Sequence, residues 1–407
     1  MQKFIFVLLA IPAIVWGQDS LNVRKVGQVS LSARGLALVE NRLYVADESF
    51  GLVIFDVADP SSPVELGRLE SDAHWTNDVA VAGQFAFLSD QVHGLIVVDV
   101  SDPSAPVEIA ELDVYEAASV AVSGNYAFVG GDYRLSAVDV STPTSPVAVD
   151  SFPVDWYVAD IELAGQYAYL AVASDGVLIL DASDPTNLTQ VGLLAQGFAQ
   201  SIACNGNVAC VGAGYAGMMT VDISDPSSPT QSGQYWNSAN GRGVFIVDDI
   251  AYLAQTDSGL RVIDIVDPAN PRELGFYFGN MYHLDVLARD NYAFVAGESA
   301  LLIYDVSAAL STPDEHKPVI TTFSLHSIYP NPFNNTANIT FDLPREVTGR
   351  LVVYDVLGRM TNTLFDGKLA AGSHQMQFNG NGLSSGTYFV RLETPAFSAT
   401  QKAVLLK

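Results

Sequence analysis

Lys and Arg are scarce in this sequence: 19 of them stand against 45 Asp and Glu, a formal net charge of -26 over 407 residues. Binding to a phosphate backbone draws most of its affinity from clustered cations, so the composition excludes a DNA or RNA partner. Charged residues make up only 16% of the chain and apolar residues 49%. The sequence therefore predicts a well-buried globular protein and not a disordered one.

Long apolar runs are absent after the N-terminus. Lys3 precedes a 13-residue apolar run from Phe4 to Trp16, and Gly17 follows it. This pattern predicts a secretory signal peptide over residues 1–17, since a membrane-spanning helix needs about 20 apolar residues. No cysteine lies near the expected cleavage site, so we expect neither a lipid anchor nor a transmembrane segment.

Only two cysteines occur, Cys204 and Cys210, in the stretch SIACNGNVAC. The sequence there predicts a β-hairpin with Asn205-Gly206 as its turn. An exported chain permits a disulfide. The predicted register, however, pairs Cys204 with Asn207 and not with Cys210, so the spacing leaves open whether the two cysteines are bridged. Two thiols without a neighbouring His are too few ligands for a metal ion, and we expect neither a metal nor a cofactor.

Motifs that carry catalysis are missing as well: no HExxH, CxxC, P-loop or EF-hand spacing occurs. The letters of GAGYAG (212–217) match a dinucleotide fingerprint, but a strand follows where a helix has to receive the pyrophosphate. GLSSG (382–386) matches a nucleophile elbow without the strand-turn-helix context that this motif requires. The sequence thus offers no catalytic residue through a motif.

A repeat is what the sequence has in place of such motifs. An Asp ends one apolar strand per unit, and these residues recur at a period near 41: Asp56, Asp99, Asp139, Asp181, Asp222, Asp264 and Asp305. The second unit shows four short strands with turn residues between them, over 78–83, 85–90, 94–100 and 106–114. Four antiparallel strands per unit without helical periodicity predict the blade of a β-propeller.

The two ends of the repeat region complement each other. The seventh unit stops at residue 310 without an outermost strand, whereas residues 22–30 form a strand without a unit. Gly27 in this strand aligns with the glycines of other outermost strands: Gly67, Gly192, Gly233 and Gly275. The N-terminal strand is therefore predicted to complete the last blade, which leaves no open edge.

The sequence as a whole predicts an all-β chain. We expect a seven-bladed β-propeller over residues 21–308, a linker over 309–325, and a small β-sandwich over 326–407, where short alternating strands follow one another.

The repeated segments GLIVVD and GLRVID, each followed by an Asp-Pro turn and a second Pro, resemble the LVIVD repeat of bacterial and archaeal surface proteins. The resemblance implies a secreted β-propeller and brings no agreed reaction or ligand. STPTSP in unit 3 and SAALST in unit 7 depart from the pattern. The Asp-Pro turns place two carboxylates three residues apart, and we interpret them as turn caps and not as calcium loops, because too few oxygen ligands are present.

The C-terminal 80 residues closely resemble the type A sorting domain of the type IX (Por) secretion system. Its signature positions are matched by Tyr329, Pro330, Asn331, Pro332, Phe333, Asn334, Gly358, Arg359, Gly386 and Tyr388. The resemblance implies recognition by the secretion machinery of a Gram-negative bacterium. It also implies passage through the periplasm to the outer-membrane surface or the medium, often with later removal of the domain. The alternative is an ordinary β-sandwich that spaces the propeller.

Candidate ligand-binding residues emerge where the repeats differ. In a propeller, the segments before the innermost strands gather around the central axis on one face. These segments supply aromatic, basic and amide side chains: Arg34, His74, Trp75, Asn77, Tyr115, Trp156, Tyr157, Phe198, Gln200, Arg242, Tyr282 and His283. The hairpin turns predicted on the same face carry acids: Asp47, Asp90, Asp132, Asp175, Asp257 and Glu298.

Flat rings beside amide and guanidinium groups suit a glycan, a peptide or a loop of a partner protein. Arg34 and Arg242 are suited to grip a carboxylate. The leading hypothesis is a secreted, non-enzymatic interaction protein. One alternative is an extracellular polysaccharide lyase or hydrolase that uses His74, His283, Tyr282 and Arg242, which requires a base and a charge-neutralising group close together. Another is that the aromatics plug the channel and the acids only end hairpins.

Overall fold

The structure is a computed structural model of the 407-residue chain, and the chain divides into two compact units between residues 312 and 313. It describes residues 20–69, 75–279 and 281–311, and residues 323–406 without 327, 329–330, 335, 346, 370–371 and 396. The predicted signal peptide, His74, Tyr329 and Pro330 lie outside these residues. None of the helices in the described part is long and apolar enough to cross a membrane.

The first unit is a ring of seven antiparallel sheets, five of them built from four consecutive strands and two completed by a strand from the N-terminal segment. The chain begins with β1 (Ser20–Leu21) and β2 (Arg24–Val29). Blade 1 consists of β3 (Ala33–Val39), β4 (Arg42–Asp47), β5 (Gly51–Asp56) and β6 (Val64–Arg68). Blade 2 consists of β7 (Thr76–Ala82), β8 (Phe85–Asp90), β9 (Gly94–Asp99) and β10 (Val107–Leu112). Blade 3 consists of β11 (Ser119–Ser123), β12 (Tyr126–Gly131), β13 (Arg134–Asp139) and β14 (Val147–Pro153).

The later blades repeat this order. Blade 4 consists of β15 (Val158–Ala164), β16 (Tyr167–Val172), β17 (Gly176–Asp181) and β18 (Thr189–Leu194). Blade 5 consists of β19 (Ser201–Asn205), β20 (Val208–Gly212), β21 (Met218–Asp222) and β22 (Thr230–Tyr235). Blade 6 consists of β23 (Gly241–Val247), β24 (Ile250–Gln255), β25 (Gly259–Asp264) and β26 (Arg272–Tyr277). Blade 7 holds β27 (His283–Arg289), β28 (Tyr292–Gly297) and β29 (Ala300–Asp305), which the helix α1 (Ser307–Leu310) follows.

The predicted closure of the ring is confirmed. Strand β2 pairs antiparallel with β29, with Arg24 opposite Asp305 and Val29 opposite Leu301. The guanidinium of Arg24 lies 2.8 Å from the Asp305 carboxylate. Strand β1 pairs with β26 and forms a fifth strand of blade 6, which the sequence did not predict. The N-terminal segment therefore joins the last two blades.

The second and third strands of each blade are buried on both faces because every sheet is covered by two neighbouring sheets. Strand β5 shows this pattern: its first five residues, Gly51 to Phe55, are all buried. Such strands read as continuous apolar runs and not as alternating ones. The core clusters accordingly combine side chains of adjacent blades, as where Phe55 of blade 1 packs with Phe294 and Ile303 of blade 7.

The repeated glycine has a steric cause. A Cβ on Gly67 in blade 1 would lie 2.5 Å from the carbonyl oxygen of Pro103, in the Asp-Pro turn of blade 2. A Cβ on Gly27 in blade 7 would meet Pro60 O of blade 1 at 2.8 Å, and Gly192 and Gly233 face Pro226 and Pro268 in the same way. The outermost strand of one blade thus packs directly on the turn of the next.

The Asp-Pro turns are capped by their own carboxylates, as the sequence analysis proposed. In blade 1 the Ser61 N–H and hydroxyl donate to Asp59 Oδ1, at 3.0 and 2.7 Å. The same contacts join Asp102 to Ser104, Asp184 to Thr186 and Asp225 to Ser227. An oxygen of each of these carboxylates is therefore engaged by its own turn.

Where one blade departs from the repeat, a neighbouring segment departs as well and restores the contact between them. Blade 4 has Leu188 where most turns have a second Pro, so its N–H needs an acceptor. Asp150 in blade 3 stands at the glycine position, and its Oδ2 accepts this N–H at 2.7 Å. Blade 7 lacks the turn altogether, and a Cβ on Gly275 would instead meet Leu21 O and the Ala309 side chain. The N-terminal segment and α1 occupy the space that the turn fills elsewhere.

The prediction for the cysteine hairpin is wrong in its register. Asn205 pairs with Val208, so the turn residues are Gly206 and Asn207, and Gly206 has a φ of 60°. Cys204 consequently pairs with Ala209 and Cys210 with Ala203, which points the two thiols to opposite faces of the sheet. Both cysteines are free. Burial raises the pKa of the Cys210 thiol to about 12.

The second unit is a small β-sandwich, as predicted. One sheet has the order β30 (Ser324–Leu325), β31 (Thr336–Leu343) and β34 (Gly372–Asn379). The other has the order β33 (Met360–Leu369), β32 (Val347–Asp355), β35 (Gly386–Glu393) and β36 (Ser398–Leu405). Phe341 and Phe378 of the first sheet share a core with Val353, Val390 and Leu405 of the second.

Candidate functional site

The propeller encloses a central channel of about 1100 Å³, lined by the first strand of each blade. We call β3, β7, β11, β15, β19, β23 and β27 the inner strands. Each contacts the next around the ring, and β27 contacts β3. The face where these strands begin is the upper face. Ala33 at the start of β3 pairs with Asp47 at the end of β4, so the hairpin turns between second and third strands lie on this same face.

Exposed aromatic side chains concentrate on the upper face. Six predicted residues are exposed in the connections that lead into the inner strands: Trp75, Tyr115, Trp156, Tyr157, Phe198 and Tyr282. Five others join them from the connections and the upper hairpin turns: Phe50, Tyr133, Tyr215, Trp236 and Phe278. These eleven are all the exposed aromatic residues in the described part of the propeller, and none lies on the opposite face.

The sequence reasoning missed those five because it aligned only the last few positions before each inner strand. Trp236 and Phe278 directly follow the outermost strands β22 and β26, and Tyr215 lies in an upper turn. The signal was nevertheless present, since an aromatic residue in a turn has no core to fill. Tyr215 and Trp236 are 81% and 64% exposed.

The two predicted arginines differ in their surroundings. Arg34 Nη2 lies 2.8 Å from Glu48 Oε2, and this contact lowers the pKa of the Glu48 carboxyl. Arg242 lines the channel, where burial lowers its pKa, and it forms no ion pair with any residue that the structure describes. Asn77 donates from Nδ2 to Ala117 O at 3.0 Å, which ties blade 2 to blade 3. Among the described residues, Arg242 is thus a channel guanidinium without an ion-pair partner, and Gln200 lines the same cavity.

Three aspartates of the channel wall were not predicted. Asp78, Asp160 and Asp285 stand at the third residue of β7, β15 and β27. Each accepts the N–H of a residue in the next inner strand: Val120 N at 3.0 Å, Ile202 N at 2.9 Å and Leu36 N at 3.0 Å. Each carboxylate also accepts the N–H of the residue that follows it in its own strand.

At the same position of the other blades stand small residues. The hydroxyls of Ser119 and Ser201 donate to carbonyls of the next inner strand, Val158 O and Arg242 O. Gly35 and Gly243 instead allow the backbone at Asp78 and Asp285 to come close. At all seven contacts between neighbouring inner strands, this position therefore supplies a carboxylate, a hydroxyl or a glycine. The three aspartates thus stabilise the packing of one blade on the next.

Burial makes the channel carboxyl groups weak acids. It raises the pKa of Asp78 to about 7 and that of Asp160 to about 6, and it raises that of Asp285 well above its usual value. Repulsion from Asp160 adds to the effect at Asp78 and Asp285. Glu162 also lines the cavity, and its pKa is raised to about 8 by burial and by Asp160.

The acids of the upper hairpin turns divide into two groups. Asp47 and Asp90 are buried and accept N–H groups of their own turns, and Asp90 Oδ2 also accepts Trp75 N at 2.8 Å. The Asp132 side chain shares a hydrogen bond with the Glu116 carboxyl, which raises the pKa of Asp132. Asp257 and Glu298 are exposed, and Asp175 is half-buried. For Asp47 and Asp90 the structure thus favours the alternative that these acids end hairpins.

His283 does not lie on the exposed surface. Its side chain is fully buried, its Nε2 lies 3.2 Å from the Tyr304 hydroxyl, and burial lowers its pKa to about 4. The preceding residue, Tyr282, is exposed. Tyr282 is the last residue of the connection into β27 and His283 is the first residue of the strand, so one candidate is exposed and the other is buried. The described residues contain no group of three or more His, Cys, Asp or Glu that could hold a metal ion.

The predicted sorting residues in the described part lie at three places of the second sheet: alongside β36, in the β32–β33 turn and in β35. Phe333 is buried, and its N–H donates to Val404 O at 2.9 Å. The Asn331 side chain donates from Nδ2 to Lys402 O and accepts the Val404 N–H at Oδ1, both at 2.7 Å. The segment from Asn331 through Pro332 to Asn334 therefore lies along β36. Gly358 and Arg359 form the β32–β33 turn, Gly386 begins β35, and the Tyr388 hydroxyl donates to Ser384 O at 2.8 Å.

Comparison with known proteins agrees with this architecture. The LVIVD repeat model matches seven segments, residues 32–70, 75–114, 116–153, 157–194, 196–237, 240–278 and 283–321, which cover more than half of the chain. The model described as "Secretion system C-terminal sorting domain" matches residues 327–406. The molecule is thus a repeat β-propeller with a sorting domain for type IX secretion, which directs it to the cell surface or the extracellular space. The chain belongs to the LVIVD-repeat family.

Solved structures share the fold at low sequence identity. A chain of the crystal structure of the Mitotic Checkpoint Complex has a TM-score of 0.59 at 11% identity, covering 75% of this chain and 99% of that chain. The computationally designed Ika8 protein has a TM-score of 0.50 at 9% identity, covering 69% of this chain and 98% of that chain. No curated protein matches the chain. These likenesses concern the fold alone.

Proposed function

We propose that this protein is a non-enzymatic binding platform that, once exported, holds a ligand against the upper face of its propeller. The observation that carries the proposal is the distribution of exposed rings: eleven aromatic side chains on one face and none on the other among the described residues. Exposed aromatic area costs solvation free energy unless a partner covers it, and clustered patches of this kind mark interaction surfaces.

The upper face consists of loops and hairpin turns, so it offers side chains and not a free strand edge. A ligand recognised there binds through ring faces and hydrogen bonds, as glycans and folded peptides do. Arg242 supplies an available cation in the channel for a carboxylate of the ligand, while Arg34 is already held by Glu48. The channel aspartates are occupied by backbone N–H groups and are not counted among the binding groups.

The enzymatic alternative relies on a base beside a charge-neutralising group. Of its two histidines, His74 lies outside the described residues and His283 is buried against Tyr304. We therefore base the proposal on binding. We also propose residues 1–17 as the cleaved leader and residues 326–407 as the part recognised during export.

The test is a screen of the labelled mature chain against glycan and peptide arrays, followed by affinity measurements on the hits. The variant Trp75→Ala/Tyr282→Ala removes two exposed rings, from the connections into blades 2 and 7. Trp and Tyr are enriched among the few interface residues that carry most of the binding energy, so we expect the loss of both rings to weaken binding at least tenfold, about 1.4 kcal/mol. The control Val107→Ala/Val147→Ala trims two exposed side chains of outermost strands. Unchanged affinity in the aromatic variant would refute the proposal.

A further inference from the structure

Four of the five large apolar side chains that are exposed in the described part of the sorting domain lie close together, and the fifth is Leu406 after β36. Val356 and Leu357 occupy the turn between β32 and β33 and are 65% and 73% exposed, and Met360 follows at 62%. A solvent-facing hairpin turn ordinarily carries polar residues and glycine. Two adjacent large apolar side chains at its tip therefore need a reason outside the fold.

The turn holds these side chains outward in a fixed geometry. Asp355 Oδ1 accepts the N–H groups of Leu357 and Arg359, both at 2.9 Å, and its Oδ2 accepts Arg359 Nε at 2.7 Å. Asp355 N donates to Arg359 O at 3.0 Å, and Gly358 takes a φ of 75°. With the turn fixed by its own hydrogen bonds, Val356 and Leu357 contribute nothing to its conformation.

The tip continues into an apolar row across the outer face of the sheet. Tyr354 pairs with Met360 on one side and with Phe389 on the other, and Phe389 pairs with Lys402. Directly paired residues project to the same face, so Met360, Tyr354 and Phe389 lie side by side. The core residues Val353 and Val390 project to the opposite face. We call Tyr354, Val356, Leu357, Met360 and Phe389 the hairpin patch.

The charge around the hairpin patch contrasts with the rest of the chain. Residues 326–407 contain seven Lys and Arg against five Asp and Glu, in a protein with a net charge of -26. Lys402 ends the apolar row, and the Arg359 side chain at the turn is 74% exposed. The surface is therefore apolar at its centre, with Lys402 and the Arg359–Asp355 ion pair at its rim, which suits an apolar partner groove with an acidic edge opposite Lys402.

We propose that the hairpin patch is the surface by which the sorting domain docks onto a protein of the secretion machinery. The match of residues 327–406 to a sorting domain supplies the occupant, since export requires that the machinery recognise this part of the chain. The proposal is independent of the upper face of the propeller. An anionic membrane surface is the competing occupant, and the test below separates the two.

The experiment follows the full-length chain in a bacterium that has a type IX secretion system. The variant Val356→Ser/Leu357→Ser/Met360→Ser is compared with the wild type by the fractions found in the periplasm and outside the cell. The control Val107→Ser/Val147→Ser removes comparably exposed side chains from the propeller. A deletion of residues 326–407 gives the value for complete failure of recognition.

We expect the patch variant to accumulate in the periplasm about as strongly as the deletion, while the control is exported like the wild type. Binding energy concentrates in a few central contact residues, so we expect the loss of three clustered apolar side chains to weaken the interface at least about tenfold. The single variant Leu357→Lys tests the same point without risk to folding, because this side chain makes no core contact, and thermal melting of each purified chain verifies the fold. Lys402→Glu is expected to reduce export and Lys402→Arg to preserve it.

Normal export of the folded patch variant and of Leu357→Lys would overturn the proposal. If export stays normal while the patch variant loses binding to phosphatidylglycerol vesicles that the wild type shows, the patch contacts lipid and the proposed partner is wrong.

Discussion

The contact between Gly67 and the next blade gives a sharp prediction for Gly67→Ala. The added Cβ would lie within 2.9 Å of three backbone atoms: Pro103 O at 2.5 Å, Ser104 C at 2.8 Å and Ser104 O at 2.9 Å. Backbone atoms cannot rotate away as a side chain does, so the two blades have to separate locally. Gly67 has no positive φ, and the backbone itself tolerates alanine. The cost is therefore steric.

Overpacking of this kind costs about 3 kcal/mol at the upper end of its usual range. The smaller conformational entropy of alanine in the unfolded chain returns less than about 1 kcal/mol. We expect a net loss of about 2 kcal/mol and a melting temperature about 4 °C lower, since a unit of this size shifts by roughly 2 °C per kcal/mol. Differential scanning calorimetry on the mature chain measures both.

Blade 2 offers a matched control, because Ala110 stands at the same position of its outermost strand. Ala110→Gly removes one methyl group and relieves no contact, so we expect a loss of less than about 1 kcal/mol. If Gly67→Ala melts like the wild type, or if Ala110→Gly is the more damaging change, the steric explanation of the repeated glycine is wrong.

Two further predictions concern polar groups. Asp150→Gly restores the repeat residue but leaves the buried Leu188 N–H without its acceptor. Urea unfolding should therefore show a free energy of unfolding lower by about 1–3 kcal/mol. Asp150→Asn keeps an acceptor oxygen and should lower it by less. Glu162→Gln should change the pH dependence: folding raises the pKa of this carboxyl to about 8, so the folded state holds its proton more tightly, and stability falls as pH rises towards 8. The variant should differ least from the wild type below about pH 4.5, where the carboxyl is protonated in both states, and should gain on it up to about pH 8 by on the order of a few kcal/mol, after allowance for channel water. An unchanged slope of stability against pH between pH 4.5 and 8 would contradict the reasoning.

The period of the Asp residues and the missing strand of unit 7 sufficed to predict the ring and its closure. Both are local patterns that reflect a packing problem repeated in every blade. Strand β1 was not predictable in this way, because it takes the place of a turn that blade 7 lacks. The predicted register of the cysteine hairpin was wrong because Asn205-Gly206 and Gly206-Asn207 both make acceptable turns. The observed register is the one that buries Cys210 and Ala203 in the core between blades 5 and 6.

The candidate site was predictable in part. The aromatic residues before the inner strands were found because they interrupt a regular repeat. Asp78, Asp160 and Asp285 were overlooked because no single blade reveals them: their role depends on a Ser or Gly at the same position of neighbouring blades. His283 looked equivalent to its neighbours in sequence, but the step from the connection into β27 separates the exposed Tyr282 from the buried His283.

The most direct test of the account is oxidative footprinting of the upper face. The mature chain is exposed to hydroxyl radicals with and without a ligand obtained from the arrays, and the modification of each aromatic residue is read by mass spectrometry. The account predicts that the ligand protects rings such as Trp75, Trp156 and Trp236, while Met360 in the sorting domain is modified as before. Protection confined to the sorting domain or to the outermost strands, with the upper rings still fully reactive, would contradict it.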